Sequence, residues 1–418
     1  MYSKLVFQRE LIYRSVSQKF FYSSTAPRTI QRNSILKMRG LAYFKEGDIH
    51  FTDSLPEPKL TSPDSLLISP SFVGLCGSDL HEASHPIFFP KDGHRHKLSE
   101  NELPQALGHE VSGYVKAIGP AVTQFKVGDR VVVEASASCV DKHRWPNAKF
   151  ANTPICDACN EGYENCCEYA GFSGLGVVSG GFADTMETIE HHVVKLPDFL
   201  PMDVGALVEP LSVAWHGSRV ANFTPGKTAL ILGAGPIGLA MILVLKAKGA
   251  KKIVVSELAS IRRELAERFN VETFDPSKHG DNAISELRSI TEGNKGFDFA
   301  FDCSGVAPTF NTGIAAIHFR GTYCNVAIWG KGLNFNPMDI TLQEKNLTGS
   351  IGYTVEDFKQ VVDAFEKKKI DPKECEHLIT GRQKIEDGWE KGFLELMNHK
   401  DTNIKVLLTP NNHGELDG

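Results

Sequence analysis

The segment Cys76-Gly77-Ser78-Asp79-Leu80-His81 gathers a thiol, a hydroxyl and an imidazole into six positions, and Gly108-His109-Glu110 adds a second imidazole and a carboxylate. Thiolate and imidazole are standard zinc ligands, and a catalytic zinc site keeps one position open beside three protein ligands. Taken alone, a Cys and a His 33 positions apart prove little, because a buried cysteine is the commoner outcome. The chain holds nine cysteines, however, with Cys156-x-x-Cys159 and Cys167 close together. Without a secretory signal, that usage argues for thiolate chemistry rather than disulfides.

A second chemistry is written at Gly233-Ala234-Gly235-Pro236-Ile237-Gly238, which follows the apolar run Thr228–Leu232. The first glycine permits a tight turn, and the second lets a diphosphate approach the backbone. The third lets helix and strand pack closely, while free N–H groups at the helix start face the phosphates. The motif alone is weak, but an acid ends the next apolar run at the expected distance. That acid is Glu257, 19 residues beyond Gly238. It can accept hydrogen bonds from both ribose hydroxyls of NAD and would repel a 2′-phosphate. Arg262 is a candidate to lie over the adenine, or else a solvated helix arginine.

These groups need a scaffold, and the chain reads as two kinds of one. From Leu41 to about Ser212, short strands such as Ser65–Val73, Gly113–Ile118 and Arg130–Glu134 alternate with glycine-rich turns, a β-rich pattern. After Pro225-Gly226 apolar strands alternate with amphipathic helices. Strand Thr228–Leu232 precedes a helix from Pro236 to about Lys248, and Lys252–Ser256 precedes a helix over Ile261–Phe269. Phe297–Asp302 and Gly321–Ala327 are further strands. This α/β rhythm predicts a parallel, doubly wound sheet. Beyond Gly349 the pattern predicts helices over Glu356–Lys367 and Ile385–Met397 and a last strand, Asn403–Leu408.

At 418 residues two domains are the natural expectation, and 41% hydrophobic with 23% charged residues is the globular range. No run approaches the roughly 20 apolar residues of a membrane span. The net charge of -6, without a basic block in the main body, speaks against nucleic acid as a partner. Residues 1–37 differ: seven basic side chains against Glu10 alone give +6, leaving -12 on the rest. A basic, Ser-rich, acid-poor leader predicts mitochondrial import. The alternative is a cytoplasmic protein starting at Met38.

The run Gly74–His81 and the later Gly108-His109-Glu110 resemble the catalytic-zinc signature of the zinc-containing medium-chain alcohol dehydrogenases. Leu207-Val208-Glu209-Pro210-Leu211 is similar to a motif of their polyol and butanediol branch. From Met38 onward, tracts such as Gly171–Gly181 and Met338–Gly352 look like the fungal (R,R)-butanediol dehydrogenases. The resemblance implies a GroES-like catalytic domain over 38–212 and an inserted Rossmann domain over 213–349. Residues 350–418 then return to the catalytic domain. It implies a catalytic zinc at Cys76 and His109, with Glu110 and Glu209 competing for the remaining place. The related structural-zinc lobe reads C-x2-C-x2-C-x7-C, and Thr153 stands where its first cysteine would be. If 140–153 is an inserted loop, Cys139 supplies that ligand and joins Cys156, Cys159 and Cys167, while Cys166 is a bystander. A reduced, empty lobe is the alternative. His94 and His96 fall in a polar insertion and are expected to be solvated.

Two zinc ions, NAD and a small diol or hydroxyketone are therefore the implied ligands, in a homo-oligomer (dimer or tetramer). The implied reaction interconverts (R,R)-2,3-butanediol and acetoin. Ser78 takes the substrate proton and passes it, by way of a ribose hydroxyl, toward His81 and solvent. A sorbitol- or xylitol-type dehydrogenase is the alternative, and a non-catalytic NAD- and zinc-binding redox sensor is the alternative of another class.

Overall fold

A computed structural model describes residues 36–90 and 95–411. The leader and His94 lie outside the described residues. Among the described residues, no helix is long and apolar enough to cross a membrane.

The first major sheet is built around strand Ser65–Gly74. It runs antiparallel to Glu110–Ile118, in a register that ends with Gly74 opposite Glu110. Arg130–Val133 and then Val193–Lys195 extend the sheet on that side. On the other side lies Lys405–Thr409, from the chain's end, followed by Ile379–Lys384. The alternation of these strands buries Val73, Val111, Val131 and Val133 in one apolar core. It turns Ser112 to the opposite face, where its hydroxyl donates to the Met202 carbonyl at 2.5 Å. The order of strands thus sets residues from positions 74, 110 and 405 side by side.

The second major sheet is wholly parallel, in the order Glu272–Phe274, Lys252–Ser256, Thr228–Leu232, Phe297–Asp302, Ile317–Asn325, Asn346–Gly349. Its central strand buries both faces: Ala229 and Ile231 in one core, Leu230 and Leu232 in another. Burial on both sides is why the strand reads as an unbroken apolar run. The chain leaves this strand for one neighbour and later fills the other side, so the crevice beyond Leu232 is a topological switch point. Gly233 turns there with φ +98, and a Cβ on Gly238 would meet the Gly233 carbonyl oxygen at 2.0 Å. Only glycine permits this closeness.

Two expectations change. The strand expected over Gly321–Ala327 spans Ile317–Asn325. The helix expected over Ile385–Met397 is a succession of a 3-10 turn (Ile385–Asp387), a π-helical turn (Gly388–Phe393) and an α-helical turn (Leu394–Asn398). Close packing accounts for the irregularity: Cβ atoms at Gly388 and Gly392 would meet Leu408 and Leu75 side chains at 2.8 and 2.7 Å. The helical period shows which face is buried, but not that its glycines lie hard against the last strand.

Candidate active site and metal-binding clusters

The four sulfur atoms of Cys139, Cys156, Cys159 and Cys167 lie within 4.8 Å of one another, and none forms a disulfide. Sγ–Sγ separations are 3.6 Å for Cys139–Cys156 and 3.8 Å for Cys156–Cys167. A tetrahedron with Zn–S bonds of about 2.3 Å has edges of about 3.8 Å, so the donor set fits zinc. Backbone N–H groups of Cys139, Cys156 and Tyr169 donate to these sulfurs at 3.3–3.4 Å. Backbone donors at Cys159 and Glu168 bring the Cys156 thiol down to about 7, whereas burial pushes Cys167 up to about 11. Cys166 is exposed and outside the group.

Residues 140–153 are a folded appendage rather than a loose loop. The Ser138 hydroxyl caps a 3-10 turn, Cys139–Arg144, and Trp145, Ala148 and Phe150 are buried in one cluster with the cysteines. Arg144, 2% exposed, pairs with Glu187 at 2.7 Å. His192 lies buried between Glu134 and Asp141, the latter at 3.1 Å. Burial opposes its charge, but the two carboxylates outweigh that and raise its pKa to about 10. Nearby, His96 is half-buried rather than solvated, with its ring against Gly171, and burial lowers its pKa to about 4.

The second cluster draws on separate elements. Cys76 caps helix Gly77–Ser84, and its N–H donates to Asp79 at 2.9 Å. His109 follows Gly108, which has φ +92 and whose Cβ would strike Phe182 at 2.7 Å. Ligand atoms of Cys76, His109 and Glu110 lie within 4.8 Å of one another, and Ser78 Oγ is 3.2 Å from His109 Nε2. His109 Nδ1 and Asp79 Oδ1 are 3.5 Å apart, buried and without hydrogen-bond partners. Burial disfavours an imidazolium here, yet Asp79 and Cys76 raise the His109 pKa well above its ordinary value.

Glu110 is fully buried, and Lys405, 1% exposed, donates to its two oxygens at 2.5 and 2.8 Å and to the Leu75 carbonyl at 3.0 Å. Glu209 starts helix Val208–Val220 and stays outside the 4.8 Å group. Burial and the charge of Glu110 lift its carboxyl to about 7. A buried carboxylate in this state, beside a thiol and an imidazole, is a place where a cation relieves the desolvation cost. The donor chemistry fits a zinc with mixed ligands.

A cavity of about 420 Å³ joins this cluster to the glycine turn: Cys76, His81, Pro236, Arg262 and Asn403 line it together. His81 is exposed at its rim. Half-buried Gly235, Pro236 and Ile237 form the helix start, and Glu257 accepts from the Ala234 and Ala259 N–H groups at 2.8 and 2.9 Å. Arg262 donates to the Lys400 carbonyl at 2.5 Å and faces this cavity. Lys405, the His192 network and Tyr353, a buried tyrosine beside Glu209, are not among the residues the sequence singles out. The signal for Lys405 is a lone charge inside the apolar run Ile404–Leu408; no pattern around Tyr353 distinguishes it.

Residues 62–198 match the alcohol dehydrogenase GroES-like domain family, and residues 236–367 match the zinc-binding dehydrogenase family. The chain is 57% identical over 381 residues to (R,R)-butanediol dehydrogenase of Saccharomyces cerevisiae, covering 91% of this chain and all of that one. It is 51% identical to a probable (R)-acetoin-forming diacetyl reductase of the same yeast, covering 91% of this chain and 92% of that one. The crystal structure of 2R,3R-butanediol dehydrogenase from Bacillus subtilis superposes with a TM-score of 0.78 at 34% identity, over 90% of this chain and all of that one.

Proposed function

Since this chain belongs to the zinc-containing alcohol dehydrogenase family, which works with zinc and a nicotinamide cofactor, we propose that it interconverts (R,R)-2,3-butanediol and acetoin with NAD. The observation that carries this is the 57% identity across the full length of the yeast (R,R)-butanediol dehydrogenase. Cys76 and His109 would hold the catalytic zinc, with Glu110 or Glu209 completing the set. Cys139, Cys156, Cys159 and Cys167 would hold the second ion. Zinc supplies Lewis-acid polarisation of an alcohol or carbonyl oxygen, and the nicotinamide carries the hydride.

The chain's own residues do the rest. The Ser78 hydroxyl, 3.2 Å from the His109 nitrogen that would face the metal, would accept the substrate proton and relay it toward His81 at the solvent rim. Glu257 exchanges its backbone N–H partners for ribose hydroxyls, and its charge disfavours a 2′-phosphate. Glu110 keeps its charge balanced by Lys405, while Glu209 brings a second carboxylate within reach of the substrate.

The test is a panel of initial rates with 2,3-butanediol, ethanol and sorbitol under NAD and then NADP. The expected kcat/KM for the diol exceeds that for ethanol by about 100-fold or more, because a monoalcohol leaves buried polar groups unpaired. Comparable efficiency on ethanol refutes the diol assignment, and higher efficiency on sorbitol favours a polyol dehydrogenase. Equal use of both cofactors removes the role given to Glu257.

A further inference from the structure

Four lysines gather where helix Pro236–Ala247 ends and the chain turns into strand Lys252–Ser256: Lys246, Lys248, Lys251 and Lys252. Three of them face a carboxylate. Lys246 meets Glu374 at 2.7 Å, Lys251 meets Glu292 at 3.1 Å and Lys252 meets Glu272 at 3.0 Å. Lys248 has no such partner among the described residues. Its amine lies instead over the face of Trp215, 4.3 Å from the ring centroid.

The surroundings of that amine are fixed. Trp215 is 8% exposed, and its ring N–H donates to Gln360, on helix Val355–Glu366, at 2.7 Å. The charged groups that face the amine come from two neighbouring helices: Arg219 on Val208–Val220 and Asp357 on Val355–Glu366. Asp357 is already engaged, since it accepts from Arg219 at 3.0 Å and lies 2.8 Å from His216 Nδ1. An aromatic face attracts an ammonium, but it offers no oxygen in place of the water it displaces. Burial therefore leads, Arg219 adds to it and Asp357 opposes it only in part, so the Lys248 amine is lowered to about 8. The side chain is half-buried rather than sealed, which leaves it open to a reagent from solvent. A desolvated lysine of this kind is a nucleophile, because only the neutral amine has a free electron pair.

We propose that Lys248 is an acylation site, where the amine resting on Trp215 takes an acyl group from a thioester. The nitrogen electron pair forms the bond to the thioester carbonyl carbon, the C–S bond breaks, and the sulfur leaves as thiolate. The proton shed by nitrogen passes to water. The product is a neutral amide, which no longer sets a charge against the ring. The site lies where the helix that begins with Glu209 packs on the helix that opens at the glycine turn. It needs neither metal nor dinucleotide, so it stands apart from the diol assignment.

The experiment incubates the intact protein with N,S-diacetylcysteamine, a small thioester with no nucleotide to dock in the glycine turn, at pH 7, 8, 9 and 10. Peptide mass spectrometry then follows acetylation lysine by lysine. At pH 8 Lys248 reacts about 10-fold faster than Lys246, Lys251 and Lys252. About half of its amine is neutral there, against about 0.4% for an ordinary lysine, and the weaker base loses part of that advantage. Its rate levels off by about pH 9, while the other three keep rising to pH 10. Acetylation of Lys248 no faster than that of its three neighbours overturns the proposal. A rate at Lys248 that climbs from pH 8 to pH 10 as steeply as theirs overturns it as well.

Discussion

The two cysteine-containing clusters differ in almost every respect that bears on their use. The lobe gathers four thiols from the segment Cys139–Cys167, with sulfurs at tetrahedral spacing and backbone donors against them. The other cluster mixes a thiol, an imidazole and carboxylates from a helix cap, a strand entrance and another helix, and it opens on a cavity. Four thiolates saturate a tetrahedral ion and leave no place for substrate, whereas mixed ligands beside a cavity do. Homogeneous local ligands make a fastening, and heterogeneous ligands gathered from afar make a site for chemistry.

The sharpest way to break that contrast is to remove a ligand from each side. Cys76→Ala should lower kcat/KM about a thousandfold or more, since loss of even an outer-shell metal partner costs about 10–100-fold. It should release one zinc per chain while leaving the melting temperature and NADH binding close to wild type. A metal-replete Cys76→Ala enzyme with full activity would erase the distinction between the clusters.

Cys159→Ser should do the reverse. Its expected cost is stability, on the order of 3–5 kcal/mol, below the roughly 10–16 kcal/mol of isolated zinc peptides because only the lobe opens. Differential scanning calorimetry with metal analysis measures it. Unchanged melting and zinc content would sink the tetrathiolate.

A third effect is a slope rather than a step. His192 ties Glu134, at the end of strand Arg130–Val133, to Asp141 in the first turn of the lobe. Its pKa is raised from 6.5 to about 10 in the fold, so its stabilising contribution is fully present below pH 6.5 and is lost as pH rises through about 10. The difference in unfolding free energy between wild type and His192→Gln should therefore shrink by at most about 1.4 kcal/mol per pH unit across that window. A difference that stays constant from pH 7 to pH 10 would show that this imidazole is not charged in the fold.

The lobe is the more legible cluster, since three of its cysteines sit in one short spacing and only Cys139 lies across an insertion. The parallel sheet was legible too, because an unbroken apolar run such as Thr228–Leu232, set between turns, is what a strand covered on both faces requires. What the sequence hid are pairings across the fold. Lys405 looks like one polar residue in the last strand, and only the order of strands reveals that it reaches Glu110. Gly388 and Gly392 look compatible with a helix, and only contact with Leu408 and Leu75 reveals why the turn widens there. Tyr353 is one tyrosine of nine, set apart by its surroundings rather than by its neighbours in the chain.

The buried pairing of Glu110 with Lys405 spans 295 positions, which sets an order of events on the ribosome. At about 5–20 residues per second, roughly 15–60 seconds of synthesis separate the two residues. From Cys167 onward, for most of that interval, the nascent chain displays all four lobe cysteines, able to capture metal. Cys76 and His109 meanwhile wait beside a carboxylate with no counter-charge, inside a sheet that lacks strands Ile379–Lys384 and Lys405–Thr409. Metal capture by the lobe cysteines can thus precede the pairing of Glu110 with Lys405, which waits for strand Lys405–Thr409.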